Sequence, residues 1–127
     1  MKLTSSKKYS KNNEIIVREG DSGDSFYMIS NGKVKVTRED ENGKVVVVSI
    51  MGAGDFFGEM CLIDNSYRSA NVVSMTNTEV LTLSGKDFLN LVNTNSRISF
   101  NLIKVLCARI RKLDAQMKRL FTDEYFW

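Results

Sequence analysis

A chain of 127 residues is long enough to bury one hydrophobic core and too short for a second substantial module. Its 43% hydrophobic and 26% charged residues are those of an ordinary folded domain, and a net charge of +3 is too mild to argue for nucleic acid by itself. The absence of histidine excludes His-based zinc sites and Ser-His-Asp or Cys-His triads. No apolar run reaches membrane-spanning length, and the basic start of the chain lacks the apolar stretch of a secretory signal, so a cytoplasmic, non-enzymatic domain is expected.

Residues 1–13 carry Lys2, Lys7, Lys8 and Lys11 among serines and asparagines, show no periodicity and read as a disordered or trimmed tail. Strands are predicted over residues 14–17 and 25–30, separated by a loop punctuated by Gly20 and Gly23. Asn31-Gly32 reads as a two-residue hairpin into residues 33–38, whose alternating charged and apolar side chains fit a strand with one wet face. Asn42-Gly43 marks a second hairpin into residues 44–50, which hold four consecutive valines. Two more strands are predicted at residues 69–75 and 79–83. Short strands at this rhythm, with glycine turns and no proline, predict a mainly β domain, an antiparallel jelly-roll-like β-roll of about eight strands.

Neither strand nor helix period explains residues 52–72, which therefore read as a site. Gly52, Gly54 and Gly58 allow close backbone approach to a ligand, and Gly58 directly precedes what reads as one turn of helix, residues 59–62, whose N–H groups favour an anion. Arg68 supplies a planar, always-charged fork suited to phosphate. Glu59 lies between them; beside a phosphate a carboxylate would repel unless it accepts a hydroxyl, and a ribose offers one. The plain alternative for Glu59 and Arg68 is a surface ion pair, which has no need of the glycines or of the small Ser69-Ala70 pair that follows.

From Ser84 the period becomes helical. Ser84 with Asp87 approximates a capping box for a short helix over residues 86–92, and Thr94-Asn95-Ser96 offers N-caps for a long helix over residues 98–121. On the long helix Leu106, Ile110, Leu113, Met117 and Leu120 are spaced four, three, four and three, the heptad seam of a two-helix contact. The seam reads either as a homodimer interface or as a face packed on the chain's own roll. Cys61 and Cys107, far apart in sequence, read as free thiols.

Phe57-Gly58-Glu59, the apolar Leu62-Ile63, a short polar loop and Arg68-Ser69-Ala70 with Val72 resemble the phosphate-binding cassette of cyclic nucleotide-binding domains. That module occurs in bacterial catabolite-activator regulators and in cAMP-dependent kinase regulatory subunits, and the similarity runs from about residue 14 to about residue 111. The resemblance implies one domain, with a β-roll over residues 14–83 and helices for lid and dimerisation over residues 84–127. It implies a regulatory role in sensing cAMP, with cGMP left open by the small hydroxyl of Ser69. The implied ligand set is Gly58, Glu59, Met60, Cys61, Arg68, Ser69 and Ala70. Within it, Arg68 with Ser69 and Ala70 would hold the cyclic phosphate, and Glu59 with the Gly58 backbone would hold the ribose 2′-hydroxyl.

The same resemblance implies that the long helix closes over the base, where Leu113 could pack on the purine and Asp114 could accept from an amino group. It makes Asp24 either a partner that orients Arg68 or a turn residue, and it implies a homodimer through the C-terminal helix. No cofactor or metal is implied, no membrane contact, and no nucleic-acid contact from this chain, since no helix-turn-helix follows the long helix; any output domain would lie outside it. The competing readings are a ligandless roll used for dimerisation or docking, and an enzyme on a jelly-roll scaffold, for which only unclustered acids and thiols are present.

Overall fold

In the computed structural model residues 5–11 and 13–125 are described; residues 1–4 and 12 of the predicted tail, and residues 126–127, lie outside them. Eight strands are present among the described residues: β1 Ser5–Tyr9, β2 Ile15–Val17, β3 Ser25–Asn31, β4 Lys33–Glu39, β5 Val45–Gly52, β6 Phe56–Phe57, β7 Asn71–Ser74 and β8 Thr78–Ser84. They form two antiparallel four-stranded sheets, ordered β1-β8-β3-β6 and β2-β7-β4-β5. Ile29, Phe57 and Val80 from the first sheet and Val34 and Val72 from the second make one core, with Tyr27, Val36 and Met51 packed against it. This is the expected jelly-roll-like roll, in which each strand turns one set of alternate side chains inward. Ile29, at 1% exposure, sits at the centre of this core. Ile29→Ala should therefore destabilise the fold by about 2–5 kcal/mol, read as a lowered midpoint in urea unfolding with an unchanged slope.

Two differences from the sequence-based expectation have physical causes. Residues 5–9, expected to fray, form β1 along the edge of β8, with Lys8 opposite Glu79. This strand has no hydrophobic alternation of its own; cross-strand pairing makes it, and Ser6 Oγ donates to the Glu79 carboxylate at 2.7 Å. Together with the Ser30 hydroxyl, that bond holds the Glu79 carboxyl below its ordinary pKa. Secondly, Asn31-Gly32 is not a hairpin, because β3 and β4 belong to different sheets. Gly32, at φ 95°, carries the chain round the corner between them, where a Cβ would lie 2.6 Å from the Asn77 carbonyl oxygen. A corner and a hairpin make the same demand on backbone conformation, which is why the dipeptide alone does not separate them. Asn42-Gly43 does lie between paired strands, β4 and β5, in a turn closed by the Asp40 carboxylate, which accepts from the N–H groups of Asn42 and Lys44.

Three helices follow in the order α1 Glu59–Asp64, α2 Gly85–Thr94 and α3 Ser96–Tyr125. The predicted caps are used: Ser84 Oγ accepts from the N–H of Asp87, and Asn95 Oδ1 from the N–H of Ile98. The chain divides into two compact units, residues 1–90 with both sheets, α1 and the first part of α2, and residues 91–127 with α3. In the first unit Phe88 of α2 is buried and stacks on Phe26 of β3 with ring centroids 4.6 Å apart. In the second, the seam residues Ile110, Leu113 and Met117 are exposed, and the side chain of Leu120 lies outside the described residues. Among the described residues no helix is long and apolar enough to cross a membrane.

Candidate functional site

Arg68 lies between α1 and β7, and its backbone is fixed by the loop between β2 and β3. The Gly20 N–H donates to the Arg68 carbonyl and the Arg68 N–H donates to the Asp21 carbonyl, both at 2.8 Å, while Tyr67 bridges to Ser22. The side chain is 7% exposed. Its guanidinium donates through Nη1 to the Gly58 carbonyl at 3.1 Å and through Nη2 to the Ser25 carbonyl at 2.8 Å. Its Cζ lies 5.6 Å from the centre of the Tyr27 ring, which itself stacks on Phe57 in the core at 4.9 Å. A buried cation requires such acceptors. Carbonyl dipoles orient the guanidinium without removing its charge, so it remains able to attract an anion.

Gly58 serves this arrangement in two ways. At φ 93° it turns the chain from β6 into α1, a conformation costly for any residue with a Cβ. It also leaves room for the arginine, since a Cβ there would lie 2.6 Å from Arg68 Nη1 and 2.9 Å from the Ser25 carbonyl oxygen. Glu59 follows in the first turn of α1, 3% exposed and engaged within the structure. Cys61 is buried, with its thiol donating to the Gly58 carbonyl at 3.5 Å. Ala70 is buried, whereas Met60 and Ser69 are exposed. Leu113 and Asp114 are exposed on α3, in the second unit.

Asp24 uses its carboxylate to accept from the Ser25 hydroxyl at 3.2 Å and its carbonyl to accept from the Gly85 N–H at 2.6 Å. Besides the Gly58 carbonyl, the groups that set the guanidinium are Gly23, the Ser25 carbonyl and Tyr27, and these three the sequence reading did not single out as site residues. Ser25 acts through its main chain and is invisible to side-chain reasoning; Gly23, noted only as loop punctuation, was the available signal. A Cβ at Gly23 would lie 2.2 Å from Arg68 Cζ. A cavity of about 210 Å³, lined among others by Val17, Asp21, Gly23, Tyr27 and Arg68, opens beside the guanidinium.

A buried arginine held beneath a glycine turn, with a buried acid one residue beyond that glycine, stands on a two-sheet roll, as the sequence resemblance leads one to expect. The chain belongs to the cyclic nucleotide-binding domain family, whose model matches residues 7–95. It is 34% identical over 109 residues to the cyclic AMP receptor protein of Thermus thermophilus, covering 86% of this chain and 50% of that protein. It is 40% identical over 79 residues to the cGMP-dependent protein kinase egl-4 of Caenorhabditis briggsae, covering 61% of this chain and 10% of the kinase. Among solved structures, the catabolite activator protein of Thermus thermophilus matches with a TM-score of 0.82 at 32% identity, over 91% of this chain and 54% of that one. The chain thus spans about half the length of the bacterial relative.

Proposed function

We propose that this chain is the sensor domain of a transcriptional regulator or similar signalling protein, and that it binds cAMP, with cGMP as the competing ligand. The observation that carries this reading is the buried Arg68 guanidinium, aimed by two main-chain carbonyls at the glycine turn that bears Glu59. An arginine has five N–H donors, of which these carbonyls take two, so the fork can also meet the exocyclic oxygens of a cyclic phosphate. Ser69 and Ala70 would add backbone donors, Met60 and Cys61 would line the ligand, and Glu59 would accept the ribose 2′-hydroxyl. Leu113 and Asp114 of α3 are the proposed base contacts, and the exposed seam of α3 the proposed homodimer interface.

Transmission follows contacts within the first unit. Ser25, whose carbonyl holds Arg68, is followed by Phe26, which stacks on Phe88 of α2, and the carbonyl of the preceding Asp24 accepts from Gly85 at the start of α2. A phosphate that draws the guanidinium toward itself weakens its hold on Ser25 and biases the seating of α2. Hydrogen exchange of α2 should therefore change when cAMP is added, and identical protection with and without it would refute this coupling.

Gly23→Ala separates this site from the fold. The three atoms nearest the new methyl group all belong to the end of the Arg68 side chain, so the guanidinium must shift: cAMP affinity should fall about tenfold, the equivalent of 1.4 kcal/mol, with a smaller loss of thermal stability. The function itself is tested by titrating cAMP and cGMP calorimetrically while light scattering records mass. Saturable binding of either nucleotide to a dimer is expected; no heat and no thermal shift with either would leave a ligandless docking module.

A further inference from the structure

The net charge of +3 conceals a segregation. Residues 91–127 hold seven basic side chains against three acidic ones, so the rest of the chain is nearly balanced. On α3, Arg97, Lys104, Arg111 and Lys118 recur at intervals of seven, and Lys112 and Arg119 each lie one residue beyond a member of that series. All six are exposed. Lys104 rests its ammonium over the Phe100 ring at 5.9 Å and the contact leaves it accessible. At a rise of 1.5 Å per residue the series forms a positive row about 32 Å long. At about 100° per residue, its mean direction lies about 130° round the helix from the seam of Ile103, Leu106, Ile110, Leu113 and Met117. Asp114 is the one acid between residues 97 and 119; it lies three residues after Arg111 and four before Lys118, on the side of the row toward the seam.

The character of this face narrows its partner. Between the cations stand Asn101, Ala108 and Ala115, with Val105 the one branched apolar residue. The one aromatic on it, Phe100, lies under the Lys104 ammonium, so the face is dominated by charge rather than by the buried aromatic anchors in which the binding energy of a protein interface concentrates. Membrane insertion would require the opposite, apolar face. A long row of cations matches a linear polyanion of high charge density. We propose that the outward face of α3 binds the phosphate backbone of duplex nucleic acid without sequence choice. The contact is independent of the nucleotide site and leaves the seam available for pairing.

The test is fluorescence anisotropy of the full 127-residue chain with a labelled mixed-sequence DNA duplex across a salt series. Six cations engaged with phosphates predict a slope of log affinity against log salt of about −5, or about a thousandfold weakening between 50 and 200 mM salt. Replacing Arg97, Lys104, Arg111 and Lys118 by Gln should cut the slope to about −2. A control with the same number of charges removed from the first unit, at the exposed Lys33, Arg38, Lys44 and Lys86, should keep the wild-type slope. Circular dichroism checks that both variants fold, and cAMP titration should be unaffected in both. The proposal is overturned if the row variant binds duplex like wild type, if the control loses as much as the row variant, or if poly-glutamate or phosphatidylserine vesicles bind as tightly as the duplex at equal salt.

Discussion

Arg68→Ala is expected to weaken cAMP binding at least about a hundredfold while the roll stays folded. Two charge-assisted hydrogen bonds to the cyclic phosphate, at roughly 1.5–3 kcal/mol each, amount to that factor or more. The fold loses less, because the side chain's protein partners are the two carbonyls of Gly58 and Ser25 and the face of Tyr27, and a vacancy beside the 210 Å³ cavity lets water reach those carbonyls. Arg68→Lys should not restore affinity. An ammonium is a point charge without the planar fork and cannot span both carbonyls and a phosphate at once. Calorimetry of wild type and both variants checks this, and wild-type affinity in either variant would remove Arg68 from the site.

The second large effect is expected at Gly58. An alanine there meets two costs: a positive φ, about 1–2 kcal/mol, and overlap with the Ser25 carbonyl oxygen, which as backbone cannot swing aside as the arginine can. Stability should fall by about 2–4 kcal/mol, lowering the melting temperature by about 10 °C or more. Cyclic nucleotide binding should be lost with it, since Nη1 of Arg68 is displaced. Gly54→Ala is the matched control. Gly54 has φ 92° but nothing within 4 Å of its missing Cβ, so only the strain applies and binding should survive. Equal effects at the two glycines would show that backbone strain alone is responsible.

Most of the roll was legible in the sequence because its strands alternate and its turns are marked by glycine. Six of the eight strands and both longer helices follow from period and caps, and the cassette stood out as the stretch that no period explained. What escaped has a common cause: it is set by pairing or by main-chain atoms. β1 exists because β8 offers it an edge, and β6 has two residues, too short for any period. Gly32 turns a corner that a dipeptide cannot tell from a hairpin. At the site, Arg68 and Glu59 declared themselves by charge and spacing, whereas Ser25 takes part through a carbonyl and Gly23 through the absence of a side chain. Asp24 read either as a partner that orients Arg68 or as a turn residue, and its carboxylate accepts from the neighbouring Ser25 hydroxyl.

A crystal structure of the chain with cAMP bound is the most direct measurement. The predicted result places an exocyclic phosphate oxygen about 3 Å from the Arg68 guanidinium and the ribose 2′-hydroxyl about 2.7 Å from a Glu59 carboxylate oxygen. A nucleotide seated elsewhere, with Arg68 still bound only to the Gly58 and Ser25 carbonyls, would contradict it.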